Sequence, residues 1–225
     1  MFELNGNLKV VKEDLLGSTI YYIDNFYNNP EEVSDYLFNR RVPMWKINQT
    51  PTYNGVHFND KRFLKKDKRI LKVYDFLSSV CGKKIRYDGF NAAISTNMTR
   101  FISNSFNDYV NNFWWPHLDY GYNAIVYFNI NEEDSGTNLY HPNVMNTGEW
   151  QKKNSQPEHY YSWRPKEKYF LVKTLKSIYN RCVLFDGKKF PHGMNISNDT
   201  FFSDIPLKKR LSWNHYRCNQ VFFLY

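Results

Sequence analysis

The sequence predicts a mainly β fold with helices near the N-terminus, arranged as an antiparallel sandwich or jelly roll. Aromatic residues make up 19% of the 225-residue chain, and aromatic and β-branched residues favour strands. Two helical patterns precede residue 82. Short strand-like segments separated by Asn, Asp, Gly and Pro follow it. The length suits one domain, or at most two small ones.

The N-terminal part is predicted to contain one strand and two helices. Residues 19–23 (TIYYI) have the composition of a strand. Residues 29–32 (NPEE) are typical of a helix start, because Asn can cap, Pro suits the first position, and acids face the positive end of the dipole. A second helix is predicted at about 66–81, from the spacing of Ile70, Leu71, Tyr74, Leu77 and Cys81.

The remainder is predicted to be a β core with one long loop. Residues 141–166 are polar, rich in Pro and Asn, and lack regular periodicity. Loops of that length in compact domains often act as lids or binding loops. We therefore expect one domain over 1–225, with 1–82 as helical support and 83–225 as the β core. Its predicted strands are 84–90, 92–102, 123–130, 168–175, 181–186, 208–216 and 219–225.

Charge and cysteine content restrict the partners and the compartment. The net charge of +8 permits binding to nucleic acid, but a solvated basic surface is the simpler interpretation. Three scattered cysteines with no CxxC indicate neither a disulfide framework nor a zinc finger. No apolar run suits a signal peptide or approaches the ~18 residues of a membrane span. We therefore expect a cytoplasmic location and no membrane association.

Three residues are candidate metal ligands: His117, Asp119 and His192. On a strand, His117 and Asp119 would point to one face with Leu118 opposite, so the two could share a metal. His192 follows a predicted core strand and turn, and could supply a third ligand. Two histidines and a carboxylate on one face leave positions open, as in non-haem Fe(II) oxygenases. The bare His-x-Asp triplet is a weak signal, and a surface His–Asp pair is the alternative interpretation.

Six segments follow one another in a characteristic order: 22–33 (YIDNFYNNPEEV), 116–119 (PHLD), 127–129 (YFN), 135–140 (SGTNLY), 180–185 (NRCVLF) with His192, and 210–212 (RLS). In this order they resemble the Fe(II)/2-oxoglutarate-dependent oxygenases, especially the prolyl-4-hydroxylase-like branch with small bacterial and phage members. The resemblance implies a double-stranded β-helix, which is a cupin-like jelly roll. It also implies Fe(II) as cofactor and 2-oxoglutarate as co-substrate.

The resemblance also implies roles for individual residues. Fe(II) would be bound by His117, Asp119 and His192. Arg210 would pair with the distal carboxylate of 2-oxoglutarate, a role that suits the rigid guanidinium fork. Tyr127 would donate its hydroxyl to the same carboxylate, and Ser212 would assist from the face of Arg210.

The identity of the clamp, as we call the residue that binds the distal carboxylate of 2-oxoglutarate, stays open. Arg210 lies 18 residues after His192, a longer spacing than is usual in the family. Lys208, Lys209 and Arg217 are therefore alternatives for binding the distal carboxylate.

The implied activity is hydroxylation of an unidentified substrate, with release of succinate and CO2. A protein side chain such as proline, a peptide or a small molecule would be the substrate. Asp119 favours hydroxylation, because related halogenases have a small residue in its place. A nucleic-acid oxygenase is less favoured: its second arginine follows six residues after the first, whereas Arg217 follows Arg210 by seven. A non-catalytic jelly-roll binding protein is the other alternative, and the oligomeric state is left open.

Overall fold

The computed structural model describes residues 1–41, 55–59, 68–83, 92–101, 110–130, 136–144, 163–197, 199–202 and 215–224. Its helices are α1 (Pro30–Ser34), which continues as a π-helix (Asp35–Arg41), and α2 (Lys68–Cys81). None of the helices within these ranges is long and apolar enough to cross a membrane. The strands are β1 (Val10–Leu15), β2 (Ser18–Ile23), β3 (Gly55–Asn59), β4 (Ala92–Phe101), β5 (Asn112–His117), β6 (Tyr122–Tyr127), β7 (Thr137–Tyr140), β8 (Trp163–Pro165), β9 (Leu171–Leu175), β10 (Cys182–Asp186), β11 (His192–Met194) and β12 (Arg217–Leu224).

These strands form two antiparallel sheets. The larger sheet has the order β1-β2-β10-β6-β12-β4-β3, and the smaller has the order β8-β5-β11-β7-β9. From β4 onward the chain moves repeatedly between them, because β4, β6, β10 and β12 belong to the larger sheet while β5, β7, β9 and β11 belong to the smaller. The exception is the run β7, β8 and β9, which lies entirely in the smaller sheet.

The central strands β6 and β10 of the larger sheet are buried on both faces. On β6, Ala124 and Val126 pack in a core with Val33 of α1 and Leu77 of α2. The intervening Ile125 belongs to a second core, which also contains residues of β7 and β9 in the smaller sheet. Burial on both faces explains why β6 and β10 are nearly continuous apolar runs rather than alternating ones. The order of layers is helices, larger sheet, smaller sheet.

Several predicted elements are present with small shifts. The first helix begins at Pro30 with two acids in its first turn, although among the described residues the Asn29 side chain caps no amide. The second begins at Lys68 and ends at Cys81. Strands at 92–101, 122–127, 171–175, 182–186 and 217–224 correspond to predicted ones. The predicted strand at 84–90 and most of that at 208–216 lie outside the described residues.

Two predictions need correction. Residues 1–82 are more than a helical support, because they also supply β1, β2 and β3, which extend the larger sheet at both edges. The stretch 141–166 is not a simple loop: 142–144 and 166–168 form 3-10 turns, and 163–165 form β8, which pairs with β5. Residues 145–162 lie outside the described ranges. Residues 215 and 216 precede β12 rather than end a strand.

Candidate metal centre

His117, Asp119 and His192 converge at one end of the smaller sheet. His117 is the last residue of β5 and His192 the first of β11, and the two are partners in the antiparallel register. The ligand atoms of all three residues lie within 4.8 Å of one another. The Oδ2 atom of Asp119 is 3.1 Å from Nε2 of His192 and 3.9 Å from Nε2 of His117. The histidine ring centroids are 4.4 Å apart.

Asp119 reaches this cluster in a different way from the one expected. Because β5 ends at His117, Asp119 does not lie on the same strand, and strand alternation is the wrong reason for their proximity. The Asp119 N–H instead donates to the carbonyl of Gly187 at 2.9 Å, and the Gly187 N–H donates to Gly121 at 2.9 Å. These two bonds join the turn after β5 to the turn after β10.

The backbone fixes the orientation of the His192 ring. Its Nδ1 lies 2.9 Å from the Phe190 carbonyl, and Phe185 packs edge-on against it with centroids 5.1 Å apart. In the neutral imidazole, Nδ1–H donates to Phe190, which leaves the lone pair on Nε2 facing Asp119. Histidine ligands of metals are typically held by such a bond from the other ring nitrogen.

Asn123 is a member of the cluster that the sequence did not reveal. It lies on β6, and its Nδ2 donates to Oδ2 of Asp119 at 2.6 Å. The same nitrogen is 3.0 Å from Nε2 of His192. A signal was present: an amide four residues after Asp119 precedes the apolar run 124–128 of a predicted core strand.

Asp119 is ionised at neutral pH. Burial would by itself raise its pKa, but with the two histidines protonated, the hydrogen bond with His192, the charges of His117 and His192, and the Asn123 N–H together outweigh burial. The pKa of Asp119 therefore lies well below its usual range. The centre accordingly offers a carboxylate oxygen and two imidazole nitrogens, a donor set that suits non-haem Fe(II) and similar divalent ions.

Access to the three ligands differs. The side chain of His117 is 34% exposed, that of Asp119 18%, and that of His192 5%. The cluster therefore opens on the His117 side, and a co-ligand or substrate would approach from there.

A second polar cluster joins Arg217 to Tyr127. Arg217 is buried on β12, and its Nη2 donates to the Gly136 carbonyl at 2.9 Å and lies 3.5 Å from Oγ1 of Thr137. The Tyr127 hydroxyl donates to the same Oγ1 at 2.8 Å. Asn219 is the register partner of Tyr127, so Arg217 and Tyr127 lie on neighbouring strands.

Burial shifts both groups without changing their charge at neutral pH. It raises the pKa of Tyr127 to about 12, which keeps the phenol protonated as a donor. Burial also lowers the pKa of Arg217 to about 10, so the guanidinium remains cationic. A buried cation beside a neutral phenol is suited to binding an anion.

The other predicted residues of the site have different outcomes. Arg210 and Ser212 lie outside the described residues, as do Lys208 and Lys209, so their roles stay predictions. Of the four candidates for the clamp, which are Arg210 and its three alternatives, Arg217 is the one that the structure describes.

Comparison with known proteins gives a distant likeness. No family model matches the chain, and no curated protein matches it. Among solved structures, it is similar to a crystal structure of an oxidoreductase of the 2OG-Fe(II) oxygenase family from Burkholderia pseudomallei. The identity is 12% and the TM-score 0.33, over 96% of this chain and 72% of that chain. A likeness at this level does not assign the chain to that family.

Proposed function

We propose that this protein is an Fe(II)- and 2-oxoglutarate-dependent oxygenase whose single domain, 1–225, is a double-stranded β-helix. The observation that carries the function is the convergence of His117, Asp119 and His192, with an ionised carboxylate and a histidine oriented by the backbone. The alternation of strands between the two sheets from β4 to β7 and again from β9 to β12 supports the jelly-roll architecture.

In this proposal the three residues bind Fe(II) through one carboxylate oxygen and two imidazole nitrogens. Fe(II), once bound, would supply the oxidative chemistry with O2 that hydroxylates the substrate and converts 2-oxoglutarate to succinate and CO2. The chain's own contribution is to hold the ligands in place. The Phe190 carbonyl fixes His192, and the Gly187 carbonyl fixes the backbone of Asp119.

We assign the clamp for the distal carboxylate of 2-oxoglutarate to Arg217. Its partner Thr137 lies on β7, two residues from Leu139, which is the register partner of His192. Two residues of strand span about 7 Å, a separation that a five-carbon dicarboxylate can bridge. Tyr127 would then turn its hydroxyl from Thr137 to the bound carboxylate. Arg210 and Ser212 stay alternatives that are predicted from the resemblance.

The proposed substrate class rests on the resemblance alone: a protein side chain such as proline, a peptide or a small molecule. Fold and cofactor do not by themselves determine a substrate. A nucleic-acid substrate stays an alternative, which salt-dependent binding of DNA or RNA would favour.

The test is binding of Fe(II) and 2-oxoglutarate to the metal-stripped full chain without oxygen. We expect a charge-transfer absorption band and, after air is admitted, succinate that depends on both Fe(II) and 2-oxoglutarate. The Asp119→Ala variant should lose both signals. Asp75→Ala, which removes an exposed carboxylate on α2, should retain them. A wild-type protein without either signal would favour the non-catalytic alternative.

A further inference from the structure

We propose that Asn123 is a positioning residue of the metal centre, a role that rests on the proposed function. Its amide holds Asp119 and His192 together before a metal binds, and it remains bonded to Asp119 afterwards. The relevant contacts are 2.6 Å from Nδ2 to Oδ2 of Asp119 and 3.0 Å from Nδ2 to Nε2 of His192.

Asn123 lies in surroundings where its hydrogen bonds are strong. It is 1% exposed, and its register partners on the neighbouring strands are Phe185 of β10 and Phe223 of β12. In such an apolar environment a hydrogen bond is stronger than in water, and an unsatisfied polar group is costly. An amide would not be stable there without specific partners.

The two ligands need a donor between them when His192 is neutral and no metal is present. In the neutral imidazole, Nε2 of His192 carries a lone pair and faces the carboxylate oxygen of Asp119 at 3.1 Å. Two acceptors at this distance repel each other. The Asn123 NH2 group has two hydrogens, one for each acceptor. Neither leucine nor aspartate could replace it, because neither has a donor at this position.

A bound cation would take over one of these contacts but not the other. The lone pair of His192 would be used for coordination, so the Asn123 hydrogen there would be released. The carboxylate of Asp119 has several lone-pair sites and can accept from Asn123 while it binds a metal. The amide would therefore continue to orient Asp119 in the loaded protein.

The neighbouring turn also fixes the amide. A Cβ added at Gly187 would lie 2.7 Å from Nδ2 of Asn123 and 2.9 Å from the Gly121 carbonyl. A side chain at position 187 would thus displace the amide. Within the described residues, Oδ1 of Asn123 is buried and accepts no hydrogen bond. The Nδ2 contacts therefore set its orientation, since a flipped amide would put Oδ1 against the Asp119 carboxylate.

The test is titration of the metal-stripped full chain with Mn(II), followed by calorimetry and by the electron paramagnetic resonance of free Mn(II). Asn123→Leu keeps the approximate size and removes the donor. Loss of such an outer partner typically weakens metal affinity roughly 10- to 100-fold, and we expect a loss in this range. Thr96→Val is the matched control, since Thr96 is a buried polar residue of the same sheet. Its Mn(II) affinity should equal that of the wild type.

A melting comparison separates positioning from a general structural role. A merely structural Asn123 would lower the melting temperatures of metal-free and Mn(II)-saturated protein equally. We expect instead that the rise in melting temperature on adding Mn(II) shrinks in Asn123→Leu. Gly187→Ala should reduce the affinity in the same direction while Asn123 is retained. If Asn123→Leu bound Mn(II) with wild-type affinity, the positioning role of Asn123 would be overturned and the metal site would stand. A wild-type protein that binds no Mn(II) would overturn the metal site as well.

Discussion

The side chain of Asn129 bonds the backbone on both sides of Arg217. Its Nδ2 donates to the Tyr216 carbonyl at 2.7 Å, and its Oδ1 accepts the N–H of Cys218 at 2.7 Å. Asn129 is buried just after β6, so these bonds fix the point where β12 begins. The position of the Arg217 guanidinium beside Thr137 therefore depends on Asn129, whose side chain bonds the backbone of the two residues that flank Arg217.

We predict that Asn129→Ala weakens binding of 2-oxoglutarate but leaves Mn(II) affinity unchanged. The variant frees two buried backbone groups, each at a cost of about 1–3 kcal/mol, and lets the start of β12 shift. Urea unfolding measures the loss of stability, and anaerobic titration of the Fe(II)-loaded protein measures the affinity for 2-oxoglutarate. Wild-type affinity for 2-oxoglutarate in a folded variant would show that Asn129 does not position the clamp.

Replacing Arg217 and Arg210 in turn tests which of the two arginines binds the distal carboxylate of 2-oxoglutarate. Truncating one partner of a buried charge pair typically costs about 2–5 kcal/mol, so Arg217→Met should weaken 2-oxoglutarate binding at least roughly 30-fold. Arg217→Lys should recover part of this affinity, because it restores the charge without the fork. Anaerobic titration with 2-oxoglutarate is the measurement. The matched variant Arg210→Met should bind normally, and the reverse pattern would assign the clamp to Arg210.

Asn180 connects the end of β2 to the start of β10. Its Nδ2 donates to the Tyr27 carbonyl at 2.9 Å, its Oδ1 accepts the Tyr27 N–H at 2.9 Å, and its φ is 58°. Both Asn180→Gly and Asn180→Ala lose these bonds, each worth about 1–3 kcal/mol when the partner is buried. Alanine also carries a left-handed backbone penalty of about 1–2 kcal/mol. Urea unfolding should therefore show Ala to be the less stable variant; equal stabilities would argue against that backbone penalty.

The ion pair between Asp24 and Arg181 should make stability depend on pH. Nε of Arg181 is 2.5 Å from Oδ1 of Asp24, and this hydrogen bond holds the pKa of Asp24 below its usual value against the opposing effect of burial. A lowered folded-state pKa stabilises the protein above the unfolded-state pKa of about 3.9. The contribution is lost as pH falls through the lower folded-state pKa.

Asp24→Asn isolates this contribution. Because Asp24 is exposed, the pair should be worth less than about 1 kcal/mol. The difference in unfolding free energy between wild type and variant should be constant from pH 7 to about 5, and should be lost as pH falls through the lowered folded-state pKa of Asp24. Urea unfolding at intervals of pH measures it. A difference that grows toward acid pH would contradict the assigned sign.

The sequence identified the three candidate metal ligands, which the structure brings close together, but not the residues that surround and orient them. His117, Asp119 and His192 could be selected because two histidines and a carboxylate form a metal-binding set, although the His-x-Asp triplet alone is a weak signal. The sequence does not show which residues Asn123 contacts. Its partners are Asp119, in the turn before β6, and His192, on β11 of the other sheet. The sequence likewise does not show the burial of Arg217, which follows from its place on β12 between β4 and β6.

The predicted fold lacks six of the strands: β1, β3 and β5, which have five or six residues each, and the shorter β7, β8 and β11. β8 and β11 have three residues each and β7 has four. Segments of this length contain too few alternations to be distinguished from turns. They are strands because β5 and β9 provide partners for them, which is information that no local pattern contains.

The bond from the Asp119 N–H to the Gly187 carbonyl allows the integrity of the centre to be followed without any metal. Local opening that breaks this bond would separate the turn bearing Asp119 from the turn that leads to His192. The hydrogen-exchange rate of the Asp119 amide would therefore report how often the empty centre comes apart. Occupancy by a divalent ion should slow that exchange about tenfold for each 1.4 kcal/mol of stability that the ion adds.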